Sequence, residues 1–168
     1  ELSQYSSFSV FLETKALSLL YVQQNTTNFS IGPFQMKPGF AEEIEQEIRR
    51  DSEMRRRFKE LLIKKQNLKQ IRRIRIERLT QIEWQTKYLA AFITIAEKST
   101  KDITFDTNYD KLCYWATLYN AGLNLNESSV KDKQLMPEFL HKGKRSNYSK
   151  LSLYYYKELK TYFNEKRE

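Results

Sequence analysis

Between Trp84 and Ser99 the apolar residues Trp84, Tyr88, Ala91, Phe92 and Ile95 recur three and four positions apart, the spacing of one face of an α-helix. Thr80-Gln81-Ile82-Glu83 precedes them in capping-box form, which predicts a helix starting there and reaching the Lys98-Ser99 region. The same period appears elsewhere. Phe8, Leu12, Ala16, Leu19 and Leu20 predict a helix over 8–22; Phe40, Ile44 and Ile48, then Phe58, Leu61 and Leu62, predict two helices separated near Asp51-Ser52, with Ser52 as the second cap. Tyr109, Leu112, Cys113, Ala116 and Tyr119 predict another, stopped at Gly122 by a left-handed cap. Leu151, Tyr154, Tyr155, Leu159, Tyr162 and Phe163 predict a terminal helix with an aromatic flank. With 4 Gly and 3 Pro among 168 residues, little interrupts these stripes, and the fold class reads as mainly α. Only residues 73–78 alternate with a period of two, as Arg-Ile-Arg-Ile-Glu-Arg, and they predict a short extended segment. Residues 23–30, leading through Gly32 to Pro38-Gly39, and residues 124–147 read as loops, and no internal repeat is present.

The length fits one domain, taken as residues 1–168. No stretch approaches the roughly 18 apolar residues that span a bilayer. The chain opens at Glu1 rather than methionine, as expected of a processed form, so compartment is not read from its start. A single Cys113 has no internal disulfide partner, and with the one histidine, His141, a Cys/His zinc site is out of reach. Cys113 reads as a small buried hydrophobe, and neither metal nor cofactor is expected. The net charge of +8 is concentrated: residues 49–79 hold 13 basic and 4 acidic side chains, residues 142–168 are net +5, and the remaining segments are net negative. A basic run attracts nucleic acid, anionic lipid or an acidic wall polymer, but its commonest role is a solvated helix face.

One histidine leaves no Ser/His/Asp arrangement, and the sequence has neither a phosphate loop nor a dinucleotide fingerprint. Carboxylates, amides and tyrosines remain, the groups that cleave glycosidic bonds by protonating the leaving oxygen. Two motifs then stand out: Ser30-Ile31-Gly32-Pro33-Phe34-Gln35-Met36-Lys37-Pro38, and Tyr119-Asn120-Ala121-Gly122 at the end of an apolar helix. With them the chain resembles the lysozyme-like lytic transglycosylases, related to goose-type lysozyme. Over about residues 1–160, Gly32-Pro33-Phe34-Gln35 occupies the place of the family's Gly-Leu-Met-Gln element, and Tyr119-Asn120-Ala121-Gly122 that of its later Tyr-Asn-Ala-Gly element. Tyr88-Leu89-Ala90-Ala91 is similar to the intervening helix, and Tyr148 to a late tyrosine near the catalytic glutamate. Pro33-Phe34 in place of Leu-Met, Leu123 in place of Pro, and an enlarged basic segment at 49–79 depart from the pattern.

The resemblance implies a lysozyme-like helical domain that cleaves the MurNAc-GlcNAc bond of peptidoglycan in a bacterial envelope, periplasmic or exported. One carboxyl would act as acid and then as base on the 6-hydroxyl, closing a 1,6-anhydro ring. Glu13, followed by Thr14 as the family's glutamate is by Ser, is the first candidate for that acid, and Glu1 the alternative. Beside Leu17 and Leu20, a Glu13 carboxyl would be desolvated and its pKa raised. By resemblance, Gln35 and Asn120 would hold sugar substituents, Tyr119 and Tyr148 would orient the carboxyl or stack on the sugar, and Gly32 and Gly122 would shape the motif backbones. The plainer reading of Gln35 is a loop amide bonding neighbouring backbone. Two other readings stay open: an inactive glycan-binding relative, and a nucleic-acid or anionic-surface module. The latter would use Arg49, Arg50, Arg55 to Arg57, Lys64, Lys65, Arg72, Arg73 and Arg75. Nucleic acid is the less favoured partner, because the segments carrying the motifs are net negative.

Overall fold

Helix-forming residues at helical period dominate the chain, and the computed structural model, which describes residues 21–22, 29–64 and 66–165, is mainly helical with a single small hairpin among those residues. It divides into two compact units, Glu1–Ile95 and Ala96–Glu168. The expected helix over 8–22 lies outside the described residues except for Tyr21 and Val22, which are helical.

In the N-terminal unit, α1 (Pro38–Arg50) starts at Pro38 rather than after a loop, because proline at the first helical position loses no hydrogen bond and is already set at helical φ. Phe40, Ala41, Ile44 and Ile48 form its buried face. The break near 51 is where the spacing put it, but the cap is Asp51, not Ser52: its carboxylate accepts from the Glu53 and Met54 N–H groups and starts α2 (Ser52–Arg57). A single 3₁₀ turn, Lys59–Leu61, follows. α3 (Leu68–Leu79), capped by Asn67, corrects the extended segment expected at 73–78. There the alternation of Arg and Ile is misleading because Arg75 is itself a buried residue, so the inward face follows a helical period. α4 (Ile82–Ser99), of which the part to Ile95 belongs to this unit, matches its expectation, although Thr80 closes α3, its hydroxyl donating to the Glu77 carbonyl, rather than opening a capping box. Phe40 on α1 meets Phe92 on α4 edge to face, 5.4 Å between centroids, in a core that also holds Met54, Phe58, Leu61 and Leu79.

In the C-terminal unit, α5 (Asn108–Ala121) is capped by Thr107 and ends at Gly122. Gly122 has φ 107° and ψ 162°, so the stop is an extended conformation open essentially to glycine alone, not the expected left-handed cap. The stretch 124–147 is not a loop: it holds α6 (Glu127–Leu135) and a hairpin of β1 (Phe139–His141) with β2 (Lys144–Ser146). The turn residues Lys142 and Gly143 both have positive φ, 48° and 75°, as a two-residue primed turn requires. Asn147 then starts α7 (Tyr148–Glu165): its side chain accepts from the Lys150 N–H and donates to the carbonyls of Gln134 and Met136.

Candidate functional site

The first motif folds into a tight turn closed by paired backbone hydrogen bonds between Ile31 and Met36, 3.0 and 3.1 Å. Its shape is imposed from α4. The fully buried Gln85 amide accepts from the Phe34 N–H at 2.9 Å and donates to the Ile31 carbonyl at 2.8 Å and to the Leu79 carbonyl. Gly32 is required twice over, since its φ is +68° and a Cβ there would overlap the Gln85 amide. Gln35, also at positive φ, stays exposed and folds its side chain back, Nε2 donating to the Gly32 carbonyl at 2.8 Å. That is the plainer of the two sequence readings.

One helical turn after Gln85, Tyr88 serves a second buried polar group. Its hydroxyl donates to Glu45 on α1 at 2.7 Å, and Arg75 on α3 donates to both Glu45 oxygens, from Nε at 3.1 Å and Nη2 at 2.9 Å. Arg75 Nη1 reaches Tyr21 at 2.7 Å and Glu42 at 3.1 Å. Glu45 is 0% and Arg75 2% exposed, so α1, α3, α4 and Tyr21 meet around an ion pair out of water. Burial alone would lower the Arg75 pKa, but the Glu45 hydrogen bonds and charge outweigh it and raise it. Burial first, and Glu45 second, hold the Tyr88 hydroxyl protonated well above its ordinary range. Each Glu45 oxygen is bonded and closed to solvent, so this carboxylate is structural rather than a proton donor to substrate.

The second motif lies in the C-terminal unit. Tyr119 and Asn120 occupy the last turn of α5; burial raises the pKa of Tyr119, and Asn120 Nδ2 donates to Glu138 at 3.0 Å. Tyr148, at the start of α7, packs edge to face on Phe139 at 5.1 Å. The structure therefore brings Gly32 and Gln35 together in one unit, and gathers Tyr119, Asn120 and Gly122 at one helix end in the other. Glu13 and Glu1 lie outside the described residues. Cys113 is half-buried, its thiol 3.7 Å from the Ser149 carbonyl.

Much of the basic segment is engaged in holding the fold. Besides Arg75, Arg78 donates to the Leu61 and Glu60 carbonyls and stacks 4.1 Å over Trp84, and Arg49 reaches the Ile63 carbonyl at 3.4 Å. Arg50 pairs with Glu47, Arg57 covers the Phe58 ring, and Arg72 lies 5.9 Å over Tyr21. Arg55, Arg56, Lys64 and Arg73 are exposed; Lys65 is outside the described residues. Sequence reasoning missed Gln85 and Glu45, and it counted Arg75 among the basic surface residues although Arg75 is buried against Glu45. The only hint was a Glu on the buried stripe of α1, one position after Ile44.

Among the described residues no group of three or more His, Cys, Asp or Glu is placed to hold a metal ion, and no helix is long and apolar enough to cross a membrane. Compared with protein-family models, with curated proteins and with solved structures, the chain matches none.

Proposed function

We propose that the protein is a peptidoglycan-cleaving lytic transglycosylase of lysozyme-like type, working in a bacterial envelope, with Glu13, or alternatively Glu1, as the single acid and base. The observation that carries this reading is the Ile31–Met36 turn: a Gly-x-x-Gln element whose backbone is fixed from a distant buried amide while its own Gln35 remains at the surface. A site that must position a sugar needs such a backbone set before substrate arrives. In this mechanism the carboxyl protonates the oxygen leaving N-acetylmuramic acid, then removes the proton of the 6-hydroxyl as that oxygen closes on the anomeric carbon. Water is not consumed. Gln35 exchanges its bond to the Gly32 carbonyl for one to the sugar, and Asn120, Tyr119 and Tyr148 are the glycan contacts assigned to the C-terminal unit.

Digestion of purified peptidoglycan by the wild type and by the Glu13→Gln and Glu1→Gln proteins, each first shown to be folded, tests this with products separated by mass. Anhydro sugars that vanish in one variant alone identify the acid. Hydrolytic products would move the protein to the lysozymes, and no cleavage by the wild type would leave the glycan-binding reading. The anionic-surface reading is favoured by one observation, the exposure of Arg55 and Arg56 without a carboxylate partner among the described residues. Steep loss of polyanion affinity with added salt is its signature.

A further inference from the structure

The terminal helix changes character halfway along. In α7, Ser149 is buried and residues 151–154 are half-buried in the C-terminal unit, whereas every residue from Tyr155 to Tyr162 is exposed. Among them Tyr155, Leu159 and Tyr162, 50%, 54% and 49% exposed, stand at positions i, i+4 and i+7 and so share one face of the helix. Contact with α5 is made on another side, where Tyr156 packs edge to face on Tyr109 at 5.5 Å and Lys157 lies over the same ring at 5.8 Å. A helical end this short is marginal in water without a surface to pack on, and this one turns an apolar stripe towards solvent.

The charge around the stripe says what kind of surface fits it. Between residues 142 and 162 the basic side chains are Lys142, Lys144, Arg145, Lys150, Lys157 and Lys160, and Glu158 is the one acid. The hairpin carries the first two to the helix. Lys142 lies 4.4 Å over the Tyr154 ring, where the field of Glu158 also reaches it. Lys144 is paired across the strands with His141, whose ring meets those of Tyr154 and Tyr155 at 5.6 and 6.0 Å. Cations beside tyrosines and an exposed leucine fit an anionic lipid interface, in which phenol rings sit at headgroup depth, aliphatic side chains pass below them and lysines stay at the phosphates. A single-stranded nucleic acid fits less well, because bases stack on ring faces. Leu159 has no such face, and Tyr155 is already packed edge to face with Tyr154 at 5.3 Å.

We propose that the C-terminal unit docks on the surface of an anionic phospholipid bilayer, with Tyr155, Leu159 and Tyr162 entering the boundary between headgroups and acyl chains and Lys142 and Lys144 at the headgroup phosphates. This face lies outside the basic segment 49–79, and the inference does not rest on the glycan-cleaving reading, since binding is measured without any cleavage. Flotation of the full chain with vesicles of phosphatidylcholine and phosphatidylglycerol in equal parts recovers the protein with the lipid, and vesicles of phosphatidylcholine alone recover far less. Leu159→Ser weakens partitioning about tenfold and Lys144→Gln about fivefold, as expected for one apolar side chain and one cation withdrawn from the interface. Both positions are exposed, so the variants keep the fold, which circular dichroism checks. Leu159→Trp retains binding, and its added fluorescence shifts to the blue when the anionic vesicles are supplied. Absence of flotation, equal recovery on both kinds of vesicle, no blue shift, or unchanged partitioning in Leu159→Ser, as binding through 49–79 would give, overturns the proposal. A dimer in vesicle-free solution that Leu159→Ser disperses would reassign the stripe to a second copy of the chain, and a single-stranded oligonucleotide bound where vesicles are not would reassign it to nucleic acid; either result overturns it as well.

Discussion

In the N-terminal unit the carboxylate Glu45 has been withdrawn from water and met by Arg75 and Tyr88, with Arg75 also bonded to Tyr21 and Glu42. In the C-terminal unit Asp106 and Asp110 remain around a cavity with no basic side chain paired to them among the described residues. The same functional group is thus a joint between elements in one unit and an exposed, solvated charge in the other. Charge that is buried and saturated fixes which helices meet, and is silent towards partners; charge left half-solvated is free to bind. The total of +8 conceals this division, because Arg75, Arg78 and Arg49 contribute to the net charge while being engaged inside the fold.

The sharpest way to break the contrast is to remove one half of the joint. Arg75→Met or Glu45→Met leaves a buried charge unpaired and should cost about 3–5 kcal/mol, whereas the double variant should recover most of that loss; urea unfolding of all three measures it. If the single variants cost no more than a surface substitution, the pair is not a joint. Next, Gln85→Leu strips partners from the Ile31 carbonyl and Phe34 N–H, and a loss of about 2–3 kcal/mol is expected. Gly32→Ala should fall in the same range through strain and overlap. Both belong in the same denaturation series, and Gln35→Ala, whose side chain is exposed, should leave the midpoint nearly unchanged.

Alkaline titration sharpens the comparison further. Burial raises the hydroxyl pKa of Tyr88 and Tyr119 above the ordinary value of 10.0. Above about pH 10 the unfolded chain has therefore released protons that the native state keeps, and stability falls as pH rises. Melting temperatures followed from pH 8 to pH 11 should decline, and the decline should flatten in Tyr119→Phe. The smallest loss among the buried or capping positions is expected at a helix end: Asp51→Ala removes the cap of α2 and should cost about 1 kcal/mol by urea midpoint.

Local periodicity made α1, α4, α5 and α7 legible, because each buries apolar residues every three or four positions. It failed at α3, where the buried face is carried by Arg75 and Leu79 alone. Arg75 on α3 points to a glutamate 30 residues earlier, a relation that no window of sequence contains. α6 buries only Val130, so it leaves no stripe to read. The hairpin was readable in principle, since Gly143 follows Phe139-Leu140-His141, but three-residue strands give too short an alternation. In the candidate site Gly32 and Gln35 were legible as a motif, whereas Gln85, which shapes them, is an ordinary glutamine until the fold places it.

The Phe34–Gln85 bond also has a consequence in time. Its partners are 51 residues apart, so at a synthesis rate of about 5–20 residues per second the turn waits roughly 3–10 s for the side chain that gives it shape. Until then Gly32-Pro33-Phe34-Gln35 is unstructured peptide as far as this bond is concerned, and its form is a late product of folding rather than a property of the motif. A peptide copied from residues 30–38 alone would lack that bond, and a graft of the motif into another protein would have to carry α4 with it.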